Sequence, residues 1–94
     1  MLMDKLVKEA EKLKRHLGIL KLVVEKGPLG IFRISDITGL PPHKVRYSLR
    51  ILERAGLLRP TSRGARATPA GEEELKNTRK ELKEVIKSIE KLLR

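Results

Sequence analysis

The sequence predicts a mainly α protein with one small β-hairpin and with long, coiled-coil-like helices at both ends. Three observations predict it. Near both termini, apolar residues recur in alternating steps of three and four, the pattern of a heptad seam. Between them, a short segment opened by Pro41-Pro42 and closed by Gly56 has apolar residues on one helical side and cations on the other. Helical spacing fails only after Gly56, where two short extended pieces flank a glycine.

The first seam is Met3, Leu6, Ala10, Leu13, Leu17, Leu20 and Val24. It is narrow at first. From Ile19 onward Leu22 and Val23 widen it, so the helix begins as a stem, residues 1–18, and ends buried against a globular body. Lys26-Gly27-Pro28 stops it, with glycine expected in a left-handed C-terminal position and proline unable to continue. "PLGIF" reads as a loop or a stub of strand. "RISDITGL" then sets Ile34, Ile37 and Leu40 at helical spacing and ends at Gly39. The next helix spans about residues 42–55, because proline is tolerated at a first helical position, where its missing N–H had no partner. Val45, Leu49 and Leu52, with Ser48 and Ala55, are expected to face inward. "LLRP" and "ARAT", joined by "TSRG", form a hairpin over about residues 57–68, with Gly64 able to supply a positive φ. Thr68 caps the last helix, Pro69 takes its first position, and Glu72, Glu73 and Glu74 sit near the positive end of its dipole. Leu75, Leu82, Val85, Ile86, Ile89, Leu92 and Leu93 trace the second seam along residues 69–94.

Composition narrows the function classes. A chain of 94 residues makes one domain with a small core, residues 19–68, plus its helical extensions. It has no cysteine, hence no disulfide framework or thiolate metal site, as suits a reducing cytoplasm. No apolar run approaches the roughly 20 residues of a membrane span, and no secretory signal pattern opens the chain. Charged residues make up 36% while glutamine is absent and Asn77 is the only asparagine, a balance of thermophile proteins that points to a hot-living prokaryotic source.

The net charge of +10 is unevenly placed. Residues 1–40 hold eight basic and five acidic side chains, and residues 68–94 seven and six. Residues 41–67 hold seven basic and one acidic, and six of the seven are arginine. The arginine fork suits phosphate and guanine better than lysine's solvated point charge. His43, Lys44, Arg46, Tyr47 and Arg50 are the candidate nucleic-acid face, on a helix of the width that enters a major groove. Tyr47 also suits a packing role at the rim. His16 lies beside the first seam as an interfacial or exposed side chain. His43 has no second histidine or carboxylate at metal spacing, and no glycine loop can cradle a nucleotide phosphate, so neither a metal nor a cofactor is expected. No acid, base and nucleophile constellation marks an enzyme, and no small-molecule ligand is evident.

In this order the pieces resemble a family. "RISDITGLPPHKVRYSLRILERAGLLRPTSRGARATPAGEEEL" resembles the winged helix-turn-helix of prokaryotic transcription regulators: the MarR-like and PadR-like groups and the small archaeal dimeric winged-helix proteins. The likeness covers about residues 19–75. "DITGL" resembles the first helix and turn, "HKVRYSLRILERAGLL" the recognition helix and first wing strand, and "ATPAG" the wing's return into the next helix. The resemblance implies double-stranded DNA as partner. It further implies Ser62, Arg63 and Arg66 as wing contacts, and Arg54 and Arg59 as outer phosphate contacts. One position departs from the pattern: the cap before the recognition helix, usually serine or threonine, is Pro41.

The two seams raise the question of assembly. They can pair within one chain as an antiparallel hairpin, or between chains. A small body leaves much of both stripes uncovered, and winged-helix regulators generally dimerise through terminal helices, so Leu6, Leu13, Leu17, Leu82, Val85, Ile89 and Leu92 are the expected homodimer interface. The leading function is sequence-specific binding of duplex DNA in transcription regulation. An architectural chromatin protein with little base preference and a winged-helix protein-interaction adaptor are the two alternatives.

Overall fold

The first helix, α1 (Leu2–Lys26), changes character halfway along. In the computed structural model, which describes residues 1–94, its residues 2–14 are exposed, whereas Ile19, Leu20 and Val23 are buried. The helix stops at Gly27, but not in the expected left-handed conformation: φ is −63° and ψ 166°, which is extended backbone. Glycine is needed there for room, because the Gly27 N–H donates to the Val23 carbonyl at 2.8 Å and a Cβ would lie 2.5 Å from that same oxygen.

The "PLGIF" stretch divides between two structures. Leu29 forms a single antiparallel bridge with Ala65, donating to its carbonyl at 3.1 Å and accepting from its N–H at 2.8 Å. Ile31 and Phe32, expected in that loop or strand stub, instead open α2 (Ile31–Thr38). Gly39 then closes α2 at φ 77°, as its position before a turn predicts. The turn is held by side chains: Thr38 Oγ1 donates to the Ile34 carbonyl at 2.7 Å and accepts from the Leu40 N–H at 3.2 Å, and Ser35 Oγ donates to the Leu40 carbonyl at 2.5 Å.

The helix after the turn, α3 (Pro42–Arg54), buries Val45, Ser48, Leu49 and Leu52. Ala55, expected to face inward, is exposed at the C-cap, because the chain has already left the core side of the helix to turn at Gly56, φ 77°. Strands β1 (Leu58–Thr61) and β2 (Gly64–Ala67) pair antiparallel in the register Leu58↔Ala67, Arg59↔Arg66, Pro60↔Ala65 and Thr61↔Gly64. Ser62 and Arg63 are therefore the tip. Gly64 has φ 117°, and a Cβ on it would overlap the Leu29 carbonyl that approaches β2.

Helix α4 (Pro69–Leu92) starts as predicted, with Thr68 Oγ1 accepting from the Gly71 N–H at 3.0 Å. Its buried residues, Gly71 and Leu75, lie in the first two turns. The core is Ile19, Leu20 and Val23 of α1, Ile34 of α2, Val45, Leu49 and Leu52 of α3, Leu58 and Ala65 of the hairpin and Leu75 of α4. Only 12 of the 94 residues are buried, so both distal helical arms lie outside this core. No helix is long and apolar enough to cross a membrane.

Candidate nucleic-acid interface

Burying Val45, Ser48, Leu49 and Leu52 determines what α3 can present. At 3.6 residues per turn, His43, Lys44, Arg46, Tyr47 and Arg50 fall on the remaining arc, and all are exposed. Arg54 is exposed in the last turn, and Arg59, Ser62, Arg63 and Arg66 are exposed on the hairpin. The molecule has two ion pairs, Met1 amino–Asp4 at 3.8 Å and Lys12–Glu9 at 3.4 Å, so none of these arginines is neutralised by a carboxylate. Arg59 and Arg66 are directly opposed across the hairpin, on the same face of the ladder, an arrangement of like charges that costs stability in isolation.

Two grooves organise the face. His43, Lys44, Arg46, Tyr47 and Arg50 line one together with Arg15 of α1. Arg46 and Arg50 also line the groove between α3 and the hairpin, with Glu53, Pro60 and Thr61. Arg54 and the tip residues Ser62 and Arg63 lie outside both. The hairpin tip is braced locally, Thr61 Oγ1 donating to the Gly64 carbonyl at 2.6 Å and accepting from the Arg63 N–H at 3.2 Å. At the start of α3 the two prolines have a specific effect. Pro41 and Pro42 lack N–H groups and Lys44 N–H bonds back to the Pro41 carbonyl at 3.0 Å, which leaves the His43 N–H as the free donor of the first turn. Pro41 itself provides no side-chain cap.

Arg15 is a residue that sequence reasoning missed. Its Nε donates to Ser48 Oγ at 3.0 Å, and its guanidinium carbon lies 5.7 Å from the centroid of the Tyr47 ring. His16 is drawn into the same cluster, with Nδ1 2.7 Å from Ser48 Oγ and its ring centroid 5.9 Å from that of Tyr47. With the imidazole neutral, the serine hydroxyl accepts from Arg15 and donates to Nδ1, so Ser48 is fully used although completely buried. Burial, then the charges of Arg15 and Lys12, hold the His16 pKa below the ordinary 6.5. The Tyr47 ring packs beside Arg15 and His16 while the residue stays 48% exposed to solvent.

A helix, a turn closed by a left-handed glycine, a second helix with an uncompensated basic face and a two-stranded hairpin make a winged helix-turn-helix, the architecture of DNA-binding transcription regulators. The hairpin is its wing and α3 its recognition helix. Residues 13–59 match the family model described as bacterial regulatory protein, arsR family, and the chain belongs to that family. Within the winged-helix class that the sequence resembles, the family is therefore arsR, and membership makes the chain a DNA-binding regulator. No curated protein matches the chain closely enough to count as a relative.

Proposed function

We propose that the protein is a sequence-specific regulator that binds duplex DNA as a homodimer, with α3 in the major groove and the wing on the backbone or in the minor groove. The observation that carries this reading is the division of α3 itself. Four residues dock it in the core, and the other side presents His43, Lys44, Arg46, Tyr47 and Arg50 to solvent without a single ion-pair partner. Arginine on a groove-sized helix reads guanine through paired hydrogen bonds, each good pair contributing about 1–3 kcal/mol of discrimination. The opposed Arg59 and Arg66, with Arg63 at the wing tip and Arg54 beyond the helix face, suit phosphates, whose charge relieves their mutual repulsion.

The homodimer reading rests on what a single chain leaves uncovered. Leu6, Leu13, Val85, Ile89 and Leu92 are exposed large apolar residues, Leu92 at 83%. Leu17 and Leu82 are half-buried and share a groove between α1 and α4, so they serve the fold of one chain as well as an interface. In this scheme residues 1–18 and 69–94 pair between chains, while residues 19–68 meet DNA. Two recognition helices related by a dyad fit half-sites about one helical turn apart, so the preferred operator is roughly palindromic.

The test is selection from random duplexes, followed by salt-titrated binding of the selected and a scrambled site. A palindromic consensus bound far more tightly than the scramble is expected. Equal affinity for both would replace this reading with architectural binding, and no duplex binding at moderate salt with an adaptor role.

A further inference from the structure

The first half of α1 has two faces. Leu6, Ala10, Leu13 and Leu17 run along one, and turned away from them Lys5, Lys8, Lys12 and Arg15 follow in steps of three, four and three. These cations form a ridge roughly 15 Å long at 1.5 Å per residue. Lys8, Lys12 and Arg15 line a groove of about 610 Å³ whose other wall is Thr38, Leu40 and Lys44, the turn of the motif and the first turn of α3. Lys14 adds a further cation, and Glu11 is the one carboxylate in the lining. Arg15 and Lys44 belong both to this groove and to the one along α3, so the two are continuous.

Arg15 is the best prepared of these groups. Its Nε is held by Ser48 and its guanidinium carbon lies 5.7 Å from the Tyr47 ring centroid, yet its two terminal nitrogens have no hydrogen-bond partner in the protein and no carboxylate lies within ion-pair distance. An arginine immobilised in this way has already lost its rotamer freedom and offers a planar pair of donors to an oxyanion. Lys12 has only the exposed Glu9 at 3.4 Å, a pair of the kind that contributes at most about 1 kcal/mol and that a phosphate displaces easily.

We infer that this α1 ridge is a third contact to the duplex, gripping the sugar–phosphate backbone beside the groove that α3 enters. The inference rests on the DNA-binding reading above and extends it to a helix whose other face is assigned to dimerisation. A linear polyanion is the occupant that fits. Phosphates advance about 3.4 Å of axis per strand residue, so the ridge faces roughly four of them, whereas a small anion meets one or two of its charges. The contact is to backbone, so it adds affinity and footprint without adding base preference.

The test is fluorescence anisotropy of the full chain on a labelled random duplex of about 30 base pairs, titrated between about 50 and 200 mM salt. Lys8→Ala/Lys12→Ala is expected to reduce the magnitude of the log–log salt slope by about 2, and Arg15→Ala by about 1. Lys87→Ala/Lys91→Ala, the same charge loss on α4, is expected to leave the slope unchanged. Lys8 and Lys12 are exposed and alanine is the best helix former, so the double variant keeps its fold, checked by circular dichroism. If the α1 variants keep the slope of the unmodified chain while Arg63→Ala reduces it, the ridge is no contact and the DNA-binding reading stands. A slope reduced equally by the α1 and α4 double variants also overturns the assignment, by making the effect one of bulk charge. If the unmodified chain fails to bind duplex at low salt, both readings fall together.

Discussion

Ser48 joins the two halves of the molecule at the level of a single hydroxyl. It is buried on the inner side of α3, yet it orients Arg15 and His16 of α1 at the edge of the basic face. The depressed pKa of His16 has a sign that can be worked out. The unfolded chain takes up its proton near 6.5, and the folded chain only at lower pH, so His16 costs no stability above that value. Stability is lost as pH falls from about 6.5 through the lower folded pKa. His16→Gln is expected to abolish this component of the pH dependence, measured by urea denaturation across that range. On the DNA side, Arg46→Ala is expected to relax base preference, while Arg63→Ala weakens all duplexes alike and flattens the salt slope by about one. Equal losses on selected and random DNA from both variants would remove that division of labour. His43, Lys44, Arg46, Tyr47 and Arg50 were legible because their arc is what remains once Val45, Leu49 and Leu52 are docked. Arg15 was not, because its role depends on α1 crossing α3 near Ser48, a long-range contact that spacing along one helix does not encode.

Among the elements, the junction of wing and last helix is the most heavily determined. Thr68 Oγ1 accepts from the Gly71 N–H and donates to the Gly56 carbonyl at 2.7 Å, tying the α4 cap to the turn that ends α3. Thr68→Ala is expected to cost about 1–2 kcal/mol of unfolding free energy in chemical denaturation, and Thr68→Ser distinctly less. A loss under a few tenths in the alanine variant would mean the cap is not holding the wing. Gly71, in the first turn of α4, lies so close to Leu57 that a Cβ there would overlap the Leu57 carbonyl. Gly27 is a parallel case, a helix stop whose cause is crowding by Val23 instead of a left-handed φ. Gly39 and Gly56, by contrast, show the positive φ that turns between short elements demand, and Gly64 combines a positive φ with crowding by Leu29. Crowding depends on what arrives from elsewhere in the chain, and a positive φ only on the local path.

For the whole molecule, the proportion of core to arm decides its behaviour. A ten-residue core holds the winged body, and the arms carry Leu13 at 43% and Val85 at 49% exposure. Leu13→Lys or Val85→Lys is expected to shift the particle toward monomer and to weaken DNA binding in parallel, because each half-site is then bound alone. Light scattering that finds the unmodified chain already monomeric would end the dimer proposal.

What the sequence determined by itself was local and periodic. It set the order of helices, the turn glycines, the proline starts, the cap at Thr68 and the concentration of arginine in one third of the chain, because each depends on neighbours within a turn or two. Only the tertiary structure decided which charges share a surface. It carried Arg15 to the recognition helix, buried Ser48 against Arg15 and His16, set Arg59 against Arg66, and let the wing and α4 close onto glycines. Those outcomes depend on the angle and depth at which elements pack, and side chains far apart in the chain acquire a common face only when the core has formed.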